Sequence, residues 1–295
     1  MMLRTISHVL DGARKGARAF PAAALVLCQS ARADEAGSGY ATPGQMSLLH
    51  GTTSVAEYID WFHNSLLLPI ITVISLFVLG LLIYVIVKFN AKANPTPSRT
   101  THSTVLEVAW TIIPVLILVV IAIPSFRLLT MELTIPKPDM TIKVTGKQWY
   151  WSYDYPKEEG DFGFDSFIKA EKDLKPGELR LLAVDNEAVV PVGKIVRLQV
   201  TAADVIHSFV IQSFGVRIDA VPGRLNETWF KAEKEGIFYG QCSKICGKDH
   251  AFMPIAFRVL SQEKYAAWVA DAKKKFASAA SPSDHAANEP DTAAR

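Results

Sequence analysis

Cysteine is scarce: three in 295 residues cannot staple a chain of this length, so each thiol needs its own explanation. Net charge is nearly absent as well. With 31 Lys and Arg against 29 Asp and Glu, a formal charge of +2 is too balanced for a chain that grips nucleic acid by its phosphates. Glycine (17) and proline (16) are too few, and hydrophobic residues at 49% too many, for a collagen-like or disordered chain. What the sequence has in excess is apolar character. Its mean hydropathy of +0.18 is unusual for a purely soluble globule.

That excess lies near the front. Arg4, Arg14, Lys15 and Arg18 precede an apolar run from Ala19 to Leu27, and Ala31-Arg32-Ala33 follows. This is the layout of a cleaved secretory leader over residues 1–33, with a run too short to cross a hydrocarbon core of about 30 Å. Cleavage would remove Cys28 together with five basic residues and one acidic residue, turning +2 into −2. From Leu66 to Val87 no charge occurs, a length that spans roughly 33 Å as a helix. A second run, Val105 to Leu129, is also long enough, although Glu107, Pro114, Pro124 and Arg127 interrupt it.

Together these runs predict a transmembrane hairpin over residues 65–130, preceded by an exported segment 34–64. The exported segment holds no Lys or Arg, whereas the 88–104 linker carries Lys88, Lys92 and Arg99 and no acid. The positive-inside rule therefore puts the linker in the cytoplasm and both termini of the mature chain outside it. Glu107 stands about one turn into the second helix. There it is either a carboxylate on a proton or ion path or one that snorkels to the headgroups.

After the hairpin the pattern changes to strict alternation. Met140, Ile142 and Val144 face Thr141, Lys143 and Thr145; Val196, Leu198 and Val200, then Ile255, Phe257 and Val259, repeat the period. With turn residues at Pro176-Gly177, Pro222-Gly223 and Glu235-Gly236, this predicts a β-sandwich or barrel over 134–276. Tyr265, Trp268, Val269, Ala272 and Phe276 fall at helical spacing and predict one amphipathic helix packed on it. Residues 277–295, rich in Ala, Ser, Pro and Asp, read as a disordered tail.

The chemistry-bearing residues gather between Cys242 and Met253, with Cys246 and His250 between them and His207 on the preceding strand. Two thiols, two imidazoles and a thioether are soft or borderline ligands that suit copper, where calcium and magnesium want oxygen. One Cys, one His and one Met on a loop with a distant His would supply a single blue-copper centre, which leaves Cys242 as a surplus thiolate. Two thiolates four residues apart can instead bridge two metals. A Cys242–Cys246 disulfide and a structural zinc site of Cys₂His₂ type are the competing readings; the first needs neither His250 nor Met253, and the second leaves Met253 idle.

A second island, Gln148 to Tyr155, is crowded with aromatics: Trp149, Tyr150, Trp151, Tyr153 and Tyr155. Alternation puts about half of these rings in a core and leaves the others to face solvent or a partner. Residues 154–187 carry ten acids and five bases, a local charge of −5 that could steer a basic partner to an exposed Trp.

Membrane hairpin, aromatic island, Asp204-Val205-Ile206-His207-Ser208, the Val221-Pro222-Gly223-Arg224 turn, Tyr239-Gly240-Gln241 and the Cys loop together resemble subunit II of the haem-copper cytochrome c oxidases, in a bacterial form with a cleaved leader. The resemblance implies a cupredoxin-like sandwich holding a dinuclear CuA centre. Its ligands would be His207, Cys242, Cys246, His250 and Met253, with the backbone carbonyl of Lys244. It implies that Trp149 is where electrons from cytochrome c enter, with the cytochrome docked on the acidic face. Glu107 would stand at the mouth of a proton path into the catalytic subunit. The partners implied are a haem-bearing subunit I and a subunit III, in the bacterial inner membrane with both termini periplasmic.

One position departs from the family pattern. The family typically places at 244 a Glu that reaches a magnesium ion, and an ammonium cannot ligate Mg²⁺. Magnesium is therefore not expected through Lys244, while the copper site needs only the backbone there. Other readings remain. A copper reductase such as nitrous oxide reductase would need a further catalytic domain, a quinol-oxidase subunit would lack the copper ligands, and a membrane-anchored copper-delivery module would use the same ligands without redox turnover.

Overall fold

The computed structural model describes residues 39–276. The expected leader at 1–33, Cys28 within it, and the tail at 277–295 lie outside the described residues. Helix α1 (Ser54–Trp61) runs through a π-helical stretch (Phe62–Leu67) into α2 (Leu68–Lys88), one continuous helix of 35 residues. It thus begins at Ser54, well before the apolar run starts at Leu66. Asp60, His63 and Asn64 end the apolar run without ending the helix, because hydropathy marks the bilayer and not the backbone hydrogen bonds. Asn64 Nδ2 donates to Asp60 Oδ1 one turn back (2.6 Å), so these polar groups partner each other along the helix.

Helix α3 (Thr104–Leu133) continues through Pro114 and Pro124, and no residue of α2 or α3 is buried. Two helices of 21 and 30 residues with apolar side chains exposed all round are solvated by lipid or by other subunits rather than by this chain's own core. Near the end of α3, Tyr58 Oη donates to the Pro124 carbonyl (3.3 Å) and the Arg127 guanidinium lies 5.6 Å from the Tyr58 ring centroid. These contacts join the two helices beside the β-sheet domain.

Ten strands build that domain: β1 (Met140–Lys147), β2 (Tyr150–Tyr155), β3 (Phe162–Ser166), β4 (Ala188–Pro191), β5 (Ile195–Ala202), β6 (His207–Ile211), β7 (Val216–Ala220), β8 (Asn226–Lys231), β9 (Gly236–Cys242) and β10 (Pro254–Leu260). They form two five-stranded sheets, ordered β3-β2-β1-β5-β8 and β4-β10-β9-β6-β7. The pairs β1/β5 and β4/β10 are parallel and the remainder antiparallel. This is a cupredoxin-like sandwich. The alternation read from the sequence holds in β1 and β5, where Met140, Ile142, Val144, Val196, Leu198 and Val200 are all buried.

Strand β10 departs from that alternation, because Ala256 is buried along with Ile255 and Phe257. Its outer face is covered: Ala256, Val184 and Tyr239 form a second small cluster with Leu179, Leu182 and Ile237. Between the sheets the core is aromatic, with Trp151, Tyr153, Tyr155, Phe209, Phe214, Phe230, Phe238 and Phe257 fully buried. At about 1.5–3 kcal/mol for each large side chain buried, this layer dominates the favourable side of folding. Helix α4 (Gln262–Phe276) follows β10 and packs Tyr265, Trp268, Val269 and Phe276 against the core's edge.

Polar contacts fix the hairpin to the sandwich. Thr52 donates to the Ser213 carbonyl through both its amide (2.8 Å) and its hydroxyl (3.0 Å). The Thr53 hydroxyl accepts from the Ala56 amide, capping α1, and donates to the Phe214 carbonyl (2.8 Å). From α3, the Met131 carbonyl accepts from Trp229 Nε1 (3.1 Å).

Candidate metal centre

The candidate metal-ligating residues converge because three separate stretches end at one tip of the second sheet. His207 opens β6 and Cys242 closes β9, and these strands pair with Phe209 opposite Cys242. The loop from Ser243 to Met253 then returns into β10, and the Cys242 amide donates to the Met253 carbonyl (3.1 Å). Ligand-type atoms of His207, Cys242 and Cys246 all lie within 4.8 Å of one another. Cys242 Sγ is 3.9 Å from His207 Nδ1 and 3.9 Å from Cys246 Sγ, and Cys246 Sγ is 3.5 Å from His250 Nδ1. The Lys244 carbonyl oxygen stands 3.4 Å from Cys242 Sγ. Met253 is buried in the same cluster as both cysteines.

The thiols are free, and their separation is far beyond the about 2.05 Å of a disulfide. Their acidities are split. Burial opposes ionisation of Cys242, but hydrogen bonds with His207, with the Lys244 and Ser208 backbone and with His250 together outweigh it and lower its pKa. Burial and then the neighbouring Cys242 charge push Cys246 up. Two thiols this close cannot both ionise in a dry site without a cation between them. The donor set of two sulfurs, two imidazole Nδ1 atoms, a carbonyl and a buried thioether fits soft or borderline metal and offers no carboxylate to calcium or magnesium.

Around these side chains the backbone is packed tightly. A Cβ on Gly146 of β1 would stand 2.9 Å from His207 Cδ2, so the glycine lets the imidazole lie flat against the facing strand. Gly247, with φ +133°, brings the loop against Trp149: a Cβ there would sit 2.8 Å from Trp149 Cζ2. Trp149 is half-buried and lies on the Cys loop itself, while Trp151 is fully buried beside His207, ring centroids 5.9 Å apart. Glu107 lies in the first turn of α3, exposed.

Sequence reasoning assigned no role to two residues that the structure brings to this tip. Asp204 accepts from His207 Nε2 (2.9 Å), the Val205 amide (2.6 Å) and the Gln148 amide (2.6 Å). Gln148 Nε2 donates to the Cys246 carbonyl (2.7 Å). Burial opposes ionisation of Asp204, but these donated bonds hold its carboxyl below the usual range. Burial likewise opposes charge on His207, yet Cys242 and Asp204 together raise its pKa. An acid three residues before a candidate ligand was the available signal.

The surface near Trp149 is mixed in charge. Lys248 Nζ lies 5.6 Å from the Trp149 ring centroid and Lys147 Nζ 5.3 Å from that of Tyr150. Lys147, Lys244 and Lys248 each pair with an acid: Asp165 at 3.8 Å, Asp219 at 3.9 Å and Asp249 at 3.8 Å. Among the acids of 154–187, Asp154, Asp165, Glu171, Glu178 and Glu187 are engaged in ion pairs within the chain.

Fold and site define a class: a two-helix membrane anchor carrying a cupredoxin-like sandwich with a thiol and imidazole cluster at its tip. Known proteins give the class a family. The family model described as cytochrome C oxidase subunit II, periplasmic domain, matches residues 140–260, and that described as cytochrome C oxidase subunit II, transmembrane domain, matches residues 41–128. The probable cytochrome c oxidase subunit 2 of Rickettsia bellii (strain RML369-C) is 50% identical over 246 residues, covering 83% of this chain and 90% of that one. Cytochrome c oxidase subunit 2 of Cereibacter sphaeroides is 43% identical over 283 residues, 90% of this chain and 92% of its own.

Among solved structures, the periplasmic domain of subunit II of cytochrome oxidase of Bradyrhizobium japonicum is 64% identical, covering 48% of this chain and 99% of that one, with a TM-score of 0.45. The chain belongs to the cytochrome c oxidase subunit II family, the copper-bearing subunit of a haem-copper oxidoreductase whose oxygen chemistry takes place in a partner subunit.

Proposed function

We propose that this subunit takes electrons one at a time from a c-type cytochrome at the Trp149 face, on the periplasmic side of a bacterial inner membrane. They pass to haem in subunit I, where oxygen is reduced with proton pumping. The observation that carries this reading is the convergence of His207, Cys242 and Cys246 within 4.8 Å at the tip on which Trp149 packs. His207, Cys242, the Lys244 carbonyl, Cys246, His250 and Met253 would hold a dinuclear CuA centre, whose two coppers supply one-electron storage with little rearrangement.

The chain's own residues do the rest. His207, Cys242, Cys246 and Met253 are buried, so water is kept from the ligand atoms. The Trp149 indole lies against the Cα of Gly247, next to the ligand Cys246, a short way from the docking surface to the site. A basic cytochrome would be drawn by the acids of 154–187, although half of them are already paired and the immediate rim of Trp149 carries Lys147 and Lys248. Lys88, Lys92 and Arg99 would hold the 88–104 linker in the cytoplasm and leave both termini periplasmic. Glu107 would stand where protons enter subunit I, with subunit III as a further neighbour. Lys244, paired with Asp219, offers no oxygen to magnesium through its side chain.

Copper analysis and electron paramagnetic resonance of the purified full-length protein test the reading. Two coppers per chain sharing one unpaired electron are expected. A colourless protein holding only Cu(I), or a Cys242–Cys246 disulfide that takes up no coloured metal after reduction, would refute it.

A further inference from the structure

Three segments that carry the site are joined through one side chain the ligand set does not include. One Asp204 oxygen accepts from His207 Nε2 and from the Val205 amide, and the other accepts from the Gln148 amide. A carboxylate only accepts, so Nε2 of His207 carries a proton toward Asp204, and in the neutral ring Nδ1, the nitrogen 3.9 Å from Cys242 Sγ, keeps the lone pair that faces the sulfurs. Gln148 closes the loop: its amide is held by Asp204 and its side chain donates to the Cys246 carbonyl (2.7 Å). Trp149 follows it directly in the chain. The β1–β2 turn, the β5–β6 turn and the Cys loop are thereby clamped to one another by hydrogen bonds of 2.6–2.9 Å.

We propose that Asp204 is the positioning residue of this centre: it fixes the tautomer and orientation of His207 so that Nδ1 faces the metal. Through Gln148 it also ties the Trp149 turn to both ligand-bearing segments. The inference rests on the copper reading above, but its first consequence is visible without metal. The imidazole is fully buried, with Gly146 against one side, so packing limits where the ring lies while Asp204 decides which nitrogen is bare. Packing by itself cannot tell Nδ1 from Nε2. Ligating histidines held by a carboxylate on the other nitrogen typically lose about 10–100-fold in metal affinity when that partner is removed.

The test uses the full-length protein in detergent, labelled with ¹⁵N-histidine, as wild type, Asp204→Asn, Asp204→Ala and Gln148→Ala. In the metal-free wild type, at a pH where the imidazole is neutral, His207 is expected as the single tautomer protonated at Nε2; Asp204→Asn should keep that tautomer and Asp204→Ala should give a mixture. Copper retention against a competing chelator is expected to fall about 10–100-fold in Asp204→Ala. It should fall less in Asp204→Asn, which keeps an acceptor oxygen, and in Gln148→Ala, which keeps the His207 contact. A merely structural role would lower the melting temperature and leave the tautomer single. If His207 stays a single Nε2–H tautomer in Asp204→Ala, or copper retention is unchanged there, the proposal is overturned. Should Asp204→Ala not fold, the tautomer in Asp204→Leu, which also lacks an acceptor, decides. A wild type that binds no copper would sink the copper reading, and the tautomer of His207 in the Asp204 variants would still decide whether Asp204 orients the ring.

Discussion

Gly146→Ala places one methyl group between two rings that have nowhere to go. The new Cβ would lie 2.9 Å from His207 Cδ2, 3.0 Å from its Cγ and 3.1 Å from Trp151 Cζ3, closer than carbon atoms pack. His207 and Trp151 are both fully buried, and His207 is further held by Asp204, so neither can swing into solvent. Gly146 lies in the regular ladder of β1, paired with Trp151 on one side and Ala202 on the other. Alanine by itself should gain about 0.5–1 kcal/mol there from the less flexible unfolded chain.

Overpacking costs about 1–3 kcal/mol, and contacts this short against two immobile rings put the cost at the upper end of that range, so the net expectation is a loss of about 1–2 kcal/mol. For a domain of this size that is a fall of about 2–8 °C in apparent melting temperature, read by circular dichroism on full-length protein in detergent. Copper content should drop with it, because the methyl displaces the imidazole that faces the sulfurs. Gly80→Ala is the internal control: apart from its chain neighbours and the backbone of its own helix, no atom lies within 4 Å of its would-be Cβ, and neither stability nor copper should fall. If Gly146→Ala melts with the wild type and keeps its copper, His207 is not confined by packing as described.

Lys244→Ala should leave copper loading unchanged, since only the backbone carbonyl at 244 approaches Cys242; loss of copper in that variant would show that the side chain matters. Lys244→Glu puts a second carboxylate beside Asp219 and is expected to create divalent-ion affinity that the wild type lacks at this position, read by Mn²⁺ binding followed by electron paramagnetic resonance. Trp149→Phe should slow electron uptake from cytochrome c by more than an order of magnitude with copper content intact, and equal rates in stopped-flow reduction would remove Trp149 from the path. Trp229→Phe deletes the bond to the Met131 carbonyl and should cost about 1 kcal/mol, seen as a small drop in melting temperature with unchanged copper. Glu107→Gln tests the proton path: turnover of the assembled oxidase should fall while reduction of the copper centre by cytochrome c is unaffected. If turnover is also unaffected, Glu107 is a carboxylate at the headgroups and nothing more.

The periodicities of the chain determined a good deal unaided. Apolar runs long enough to span a bilayer marked the hairpin: Leu66 to Val87 without a charge, and Val105 to Leu129 with Glu107 and Arg127 near its ends. Period-two alternation can only bury one face, so Met140 to Thr145 and Val196 to Val200 marked strands that the structure pairs as parallel neighbours. Residue type and loop spacing pointed to a soft or borderline metal, and the structure brings His207, Cys242 and Cys246 within 4.8 Å of one another. Local pattern was silent wherever a contact joins distant segments. The helix beginning at Ser54 rests on Thr52 and Thr53 meeting Ser213 and Phe214, and the buried outer face of β10 rests on the Val184 to Tyr239 cover. Most of all, Gln148, Asp204 and Cys246, separated by 56 and 98 residues from Gln148, meet only because β1, β6 and β9 end at the same tip. A hydrogen bond across such a separation leaves no periodic trace in the chain, and tertiary packing alone decides it.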